Sequence, residues 1–141
     1  MNKPRLQALA TMLRSVPPDN FNLDSWRYKE DLDVLLGQCV TDEQITSHTC
    51  GTTACAVGRA CAMPEFNVQG LTYDNWEPLY TCYGSIRSMS VGWSAVEAFF
   101  DISYKEAQEL FTDEGYKYSE YGDSVTPQNV AKRIEEFISH T

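Results

Sequence analysis

A chain of 141 residues, 43% hydrophobic and 22% charged, matches one globular domain (residues 1–141) with room for a real core. Twenty acidic side chains against eleven basic ones leave a formal charge of -9. That balance excludes nonspecific nucleic-acid binding and attraction to an anionic membrane surface, both of which need surplus Lys and Arg.

In chain order, Leu6, Leu9, Ala10 and Leu13 recur at helical spacing and predict an amphipathic helix over residues 4–15, with Pro4 near its first turn. Val16-Pro17-Pro18-Asp19-Asn20 ends it, because neither proline continues the hydrogen-bond ladder. Phe21, Leu23 and Trp26 then read as anchors to the core. Residues 28–36 predict a second short helix burying Leu32, Leu35 and Leu36 and stopping at Gly37. Residues 37–49 read as a polar loop.

A central helix is expected from Cys50 or Gly51 to just before Pro64. Short strands are expected only between Pro64 and Gly92, as a hairpin near 66–86. Three helical signals follow. Trp93, Val96, Phe99 and Phe100 make an apolar face over 91–100. Ser103-Tyr-Lys-Glu106 is a capping box ahead of Ala107, Leu110 and Phe111. Thr126 as N-cap with Pro127 behind it starts a helix to about Ser139, burying Val130, Ile134, Phe137 and Ile138. The expected fold is therefore mainly α: a compact single-domain helical fold around a small-residue central helix.

Charge is uneven along the chain. Lys3, Arg5, Arg14, Arg27 and Lys29 face only Asp19 and Asp24 in residues 1–29, whereas from Glu97 onward ten carboxylates face four basic side chains. The first thirteen residues lack the apolar core of a secretory signal, and no apolar run approaches the roughly 20 residues that span a bilayer. Five scattered cysteines, an odd number, do not form a disulfide framework. A cytoplasmic protein with reduced thiols is the expectation.

The span His48–Cys61 holds three cysteines, a histidine, two glycines and three alanines. On a helical wheel Ala54, Val57, Gly58 and Cys61 form one narrow stripe that admits another helix at close range. A thiol reading instead makes Cys50 a nucleophile at a helix N-terminus with His48 as its base. Cys50-Gly-Thr-Thr-Ala-Cys is faintly similar to the segment in which papain-like proteases carry their nucleophile. Here, however, the distant histidine of that family has no match except His140. A zinc reading needs His48, Cys50, Cys55 and Cys61 to converge, against unsuitable spacing, so no metal or cofactor is expected. A softer reading lets the amides and hydroxyls of Gly51, Thr52 and Thr53 receive a phosphate or carboxylate with help from Arg59. The blander version has the threonines capping the helix and Arg59 pairing with a surface carboxylate.

Elsewhere, Tyr116, Tyr118 and Tyr121 alternate with carboxylates; they suit a protein contact, with the alternative that one or two of the rings cover the hydrophobic core beneath a long connection. Trp26, Trp76 and Trp93 read as core side chains. Asp74 and Glu77 lack the partner histidine that an acid/base pair would want.

The pattern His48-x-Cys50-Gly-Thr-x-Ala-Cys-Ala-x-Gly58, with Pro64-x-Phe66, Phe99-Phe100 and Ala107-x-x-Leu110-Phe111, resembles a group of small uncharacterised phage and bacterial proteins. The resemblance implies a small intracellular accessory protein and no particular activity. The functional expectation is a noncatalytic intracellular binding protein, a phage accessory factor that inhibits or sequesters a host component. Its partner would be a host protein, met by Tyr116, Tyr118 and Tyr121, or a small anionic ligand, met by Thr52, Thr53 and Arg59. The alternative is a cysteine-dependent hydrolase or transferase using Cys50 and His48.

Overall fold

A computed structural model describes residues 1–23, 25–29, 40–49, 51–82, 89–113, 116 and 125–140. The elements run α1 (Lys3–Leu13), a 3-10 turn (Pro18–Asn20), β1 (Arg27–Lys29), α2 (Asp42–Thr46), β2 (Thr52–Ala54), α3 (Ala56–Ala60) and α4 (Pro64–Asn67). They continue with β3 (Leu71–Asp74), β4 (Glu77–Thr81), β5 (Met89–Val91), α5 (Gly92–Phe100), α6 (Tyr104–Phe111) and α7 (Pro127–Ser139). No helix among the described residues is long and apolar enough to cross a membrane.

The expected mainly-α architecture is corrected by these elements: the fold is mixed, with five strands in two small antiparallel sheets among the described residues. One sheet pairs β1 with β2, setting Arg27 opposite Ala54 and Lys29 opposite Thr52. Phe21 adds a parallel bridge to Ala54. The other sheet has the order β3-β4-β5, with Leu71 opposite Tyr80 and Leu79 opposite Val91. The β3–β4 hairpin lies inside the 66–86 window, but β5 and the whole β1–β2 sheet lie outside it.

The central helix is the largest correction. Residues 51–63 are not one helix: β2 comes first, Cys55 caps the five-residue α3, and a turn at Cys61–Ala62 leads into α4. His48 and Gly51 adopt left-handed backbone (φ 52° and 81°), which interrupts any helix running in from α2. Thr52 and Thr53, both β-branched, then fit the pleat of a strand. The small-residue stripe is packed tightly, but what meets Gly58 is extended chain rather than a helix. A Cβ there would stand 1.7 Å from the Trp26 carbonyl oxygen.

Two further expectations change. The polar loop over 37–49 contains α2, started by a reciprocal capping box in which Thr41 Oγ1 accepts the Gln44 N–H and Gln44 Oε1 accepts the Thr41 N–H. The predicted helix 28–36 begins inside β1, and its remaining residues lie outside the described set.

Helices at the two ends of the chain form the main layer. Pro4 sits in the first turn of α1, and Asn2 Oδ1 accepts the Arg5 N–H at 3.1 Å. Leu6, Leu9, Ala10 and Leu13 are buried, chiefly against α7 and its Val130, Ala131 and Ile134. Thr126 Oγ1 caps α7 through the Asn129 N–H at 3.1 Å. Phe137 and Ile138 end half-buried at its C-terminal turn. Beneath lies an aromatic cluster in which Phe66 meets Phe99 edge-on at 4.9 Å and Phe100 reaches Phe111 at 5.8 Å. Each such ring contributes about 1.5–3 kcal/mol by leaving water. A second cluster, Val40, Ile45, Ala54 and Ala62, sits under α2. Trp26 and Trp93 meet in a tilted contact, centroids 4.8 Å apart, whereas Trp76, read as core, is 57% exposed.

Candidate functional site

The functional candidates gather where α1 ends and α2, β2, α3 and α4 meet. Arg59 is the centre of this junction. Its place on α3 turns it inward, and only 3% of the residue is exposed. Nη1 donates to the Ile45 carbonyl at 3.2 Å and faces His48 Nδ1 at 3.4 Å; Nη2 donates to the Asn20 carbonyl at 2.6 Å. A guanidinium has five N–H donors. Nε, itself shut off from solvent, has no hydrogen-bond acceptor among the described residues. No carboxylate among those residues lies within ion-pair distance. The expected surface pairing of Arg59 is thus corrected: its partners are backbone carbonyls and an imidazole.

Burial pulls Arg59 down to about 10, so it remains a cation at neutral pH. Burial first, and then the Arg59 charge, push His48 below its ordinary value. A neutral His48 offers Nδ1 as an acceptor to Arg59. Asn20 completes the junction by donating Nδ2 to the carbonyls of Thr49 and Thr52 at 3.3 and 2.9 Å.

Beside this cation lies a half-open cleft of about 270 Å³. Met12, Val16, Ile45, Ala62, Met63 and Pro64 give it an apolar lining. Ser15, Thr46, His48 and Glu65 supply the polar edge. The result is an apolar hollow with one buried positive charge in its lining, the composition usual for small-molecule sites.

Other predicted site residues fall differently. Thr52 is 1% exposed, and its Oγ1 has no partner among the described residues. Thr53 is half-buried in the same strand. Neither stands at a helix N-terminus, so the anion cradle expected from Gly51, Thr52 and Thr53 is not formed there; Arg59 alone of that set lines a cleft. Tyr116 is fully buried, donates its hydroxyl to the Leu110 carbonyl at 2.8 Å and lies under the Arg133 guanidinium. It is a core side chain, which corrects its assignment to a protein contact. Tyr118, Tyr121, Cys39 and Cys50 lie outside the described residues.

The described thiols at 55 and 61 are structural. Cys55 Sγ accepts the Gly58 N–H at 3.3 Å as the N-cap of α3 and donates to the Trp26 carbonyl at 3.8 Å. Burial pushes its thiol up to about 11 and pushes that of Cys61 up as well. Cys82 is half-buried. Among the described residues no three His, Cys, Asp or Glu side chains come together as a metal site would require.

Sequence reasoning missed Asn20, Met12, Val16, Ile45 and Met63 as parts of this site. The Thr41…Gln44 capping box was a usable signal for α2, and would have turned Ile45 inward. Nothing in the sequence marks Asn20, whose backbone carbonyl meets Arg59 and whose side-chain amide meets carbonyls about 30 positions away. No family model, no curated protein and no solved structure matches this chain.

Proposed function

We propose that this chain is a noncatalytic binding protein that holds an anionic small molecule in the cleft beside Arg59 and His48. The observation that carries the reading is a buried guanidinium, with no carboxylate partner among the described residues, in the lining of an apolar hollow. A buried, unpaired charge costs several kcal/mol, and a bound anion offsets that cost. The protein-contact reading is less well supported, because Tyr116 is committed to the core. In the setting that the sequence resemblance implies, the protein is a cytoplasmic phage or bacterial accessory factor that sequesters a host metabolite.

Thermal denaturation across a panel of anionic metabolites, with native mass spectrometry of the purified chain, tests this. A ligand at a hundred times its Kd stabilises by about 2.7 kcal/mol, a shift that is easily measured. A clean apo mass with no anion shifting the midpoint would refute the reading.

A further inference from the structure

The β3-β4-β5 sheet turns an apolar face to solvent, and none of its residues lines the Arg59 cleft, so this surface stands or falls apart from the reading above. We propose that the face docks a basic amphipathic helix of a partner protein.

Strand alternation divides the sheet into two faces. Leu71, Pro78 and Tyr80 lie on the inner one, which α5 covers: Tyr80 meets Phe99 edge-on at 5.3 Å. Thr72, Asp74, Glu77, Leu79, Met89 and Val91 lie on the outer one, and none of them is buried. Leu79 stands directly opposite Val91, with Met89 on the same side of β5. Val91 is 40% and Met89 49% exposed, and Trp76, in the turn that joins β3 to β4, is exposed as well. A solvated antiparallel face carries polar side chains at such positions. Adjoining apolar ones rimmed by carboxylates mark a contact surface.

Charge selects the occupant. Asp74 and Glu77 pair across the end of the hairpin, on either side of the Trp76 turn, and neither has an ion-pair partner among the described residues. Glu77 Oε2 lies 3.2 Å from where a Cβ on Gly92 would stand, which sets this carboxylate beside Val91. No Lys or Arg stands among the described residues of the face. A partner's Lys or Arg would meet both carboxylates and the exposed ring of Trp76. A second copy is a poor occupant, because it brings the same carboxylates and another net charge of -9. Dimensions select a helix. Three strands spaced about 4.8 Å apart make a face about 10 Å wide, and the five residues of β4 run about 17 Å. One helix is about 10–12 Å across and rises about 5.4 Å per turn, so about three turns cover the face.

Fluorescence anisotropy with the full chain at physiological salt measures three labelled peptides. One is a leucine–lysine helix with its leucines in a single stripe, the second replaces its lysines by glutamate, and the third has the first composition with the stripe scrambled. The first is expected to bind at least tenfold tighter than either of the others. Equal binding of the scrambled peptide would reduce the contact to net charge, and equal binding of the glutamate peptide would leave the carboxylates without a role. Either result, or no binding of the first peptide, would overturn the proposal. Two variants place the contact: Met89→Lys among the apolar side chains, and the pair Asp74→Asn with Glu77→Gln at the acidic end, each confirmed as folded by a melting curve. Both should weaken the first peptide by tenfold or more, and wild-type affinity in either folded variant would overturn the proposal. Sedimentation velocity of the chain alone should reveal no self-association that Met89→Lys abolishes; one that it does abolish would make a second copy the occupant and overturn the proposal.

Discussion

Replacing Gly58 by alanine sets two well-understood effects against each other. Helix propensity alone favours the alanine in α3 by about 1 kcal/mol. Packing opposes it, because the new Cβ would stand 1.7 Å from the Trp26 carbonyl oxygen, 2.7 Å from its carbonyl carbon and 3.2 Å from Arg27 Cγ. Ordinary contact begins near 3.4 Å, so the Trp26 carbonyl must retreat by about 1.7 Å (3.4 − 1.7). That carbonyl accepts the Cys55 N–H at 3.3 Å and the Cys55 thiol at 3.8 Å, and both bonds would stretch beyond use. Each lost bond costs about 1 kcal/mol, and backbone displacement in a filled interior adds about 1–3 kcal/mol. After subtracting the propensity gain, the net loss is roughly 2–4 kcal/mol. For a chain of this size that lowers the melting midpoint by about 10 °C. Urea unfolding and a thermal scan of the two proteins decide the matter. A midpoint equal to or above wild type would mean that propensity wins and that β1 does not press on α3.

Four other outcomes follow from contacts described above. With iodoacetamide at neutral pH, Cys82 should label before Cys55 and Cys61, which should react only as the protein unfolds; rapid labelling of Cys55 in the folded protein would contradict its role as a buried cap. The raised Cys55 thiol also predicts stability that is fully present below pH 9 and lost as pH rises toward about 11, since the unfolded thiol ionises first; urea midpoints unchanged between pH 8 and 10.5 would speak against it. At the other end, folded His48 resists protonation while the unfolded imidazole titrates near 6.5, so stability should fall as pH drops from 7.5 to 5.5, and His48→Gln should flatten that slope. Asp101, held low by the Met1 amine, contributes only in the acidic range below this window. Thr126→Ala should cost about 1 kcal/mol by removing the cap on α7, and a denaturation midpoint within error of wild type would show the cap to be idle.

What was legible in the sequence was what is local. The helix α1, the Ser103–Glu106 capping box, the Thr126 cap and the apolar faces of α5 and α6 are set by residues a few positions apart, and the structure places them close to where periodicity does. The centre was misread because its signals conflict. Alanine and glycine between 54 and 62 suggest a helix by propensity, while the β1–β2 pairing that overrides them joins segments some 25 positions apart and has no pattern of its own. Cys55 was missed as an N-cap because a thiol is not among the usual capping groups, though here its sulfur does that job. The burial of Arg59 was not readable either: its acceptors are main-chain carbonyls at Asn20 and Ile45, which any residue type supplies.

The pairing of α1 with α7 carries a consequence for how the protein is made. The most extensive contact between two elements joins residues 3–13 to residues 127–139, tied at its rim by Arg14 and Glu135 at 2.6 Å and by the Gln128 amide on the Arg14 and Val16 carbonyls. During synthesis the first helix therefore leaves the ribosome with Leu6, Leu9 and Leu13 uncovered, and its cover arrives more than a hundred residues later. At about 5–20 residues per second, that exposure lasts many seconds. Until then the nascent chain carries an adhesive apolar stripe, a natural client for a ribosome-associated chaperone.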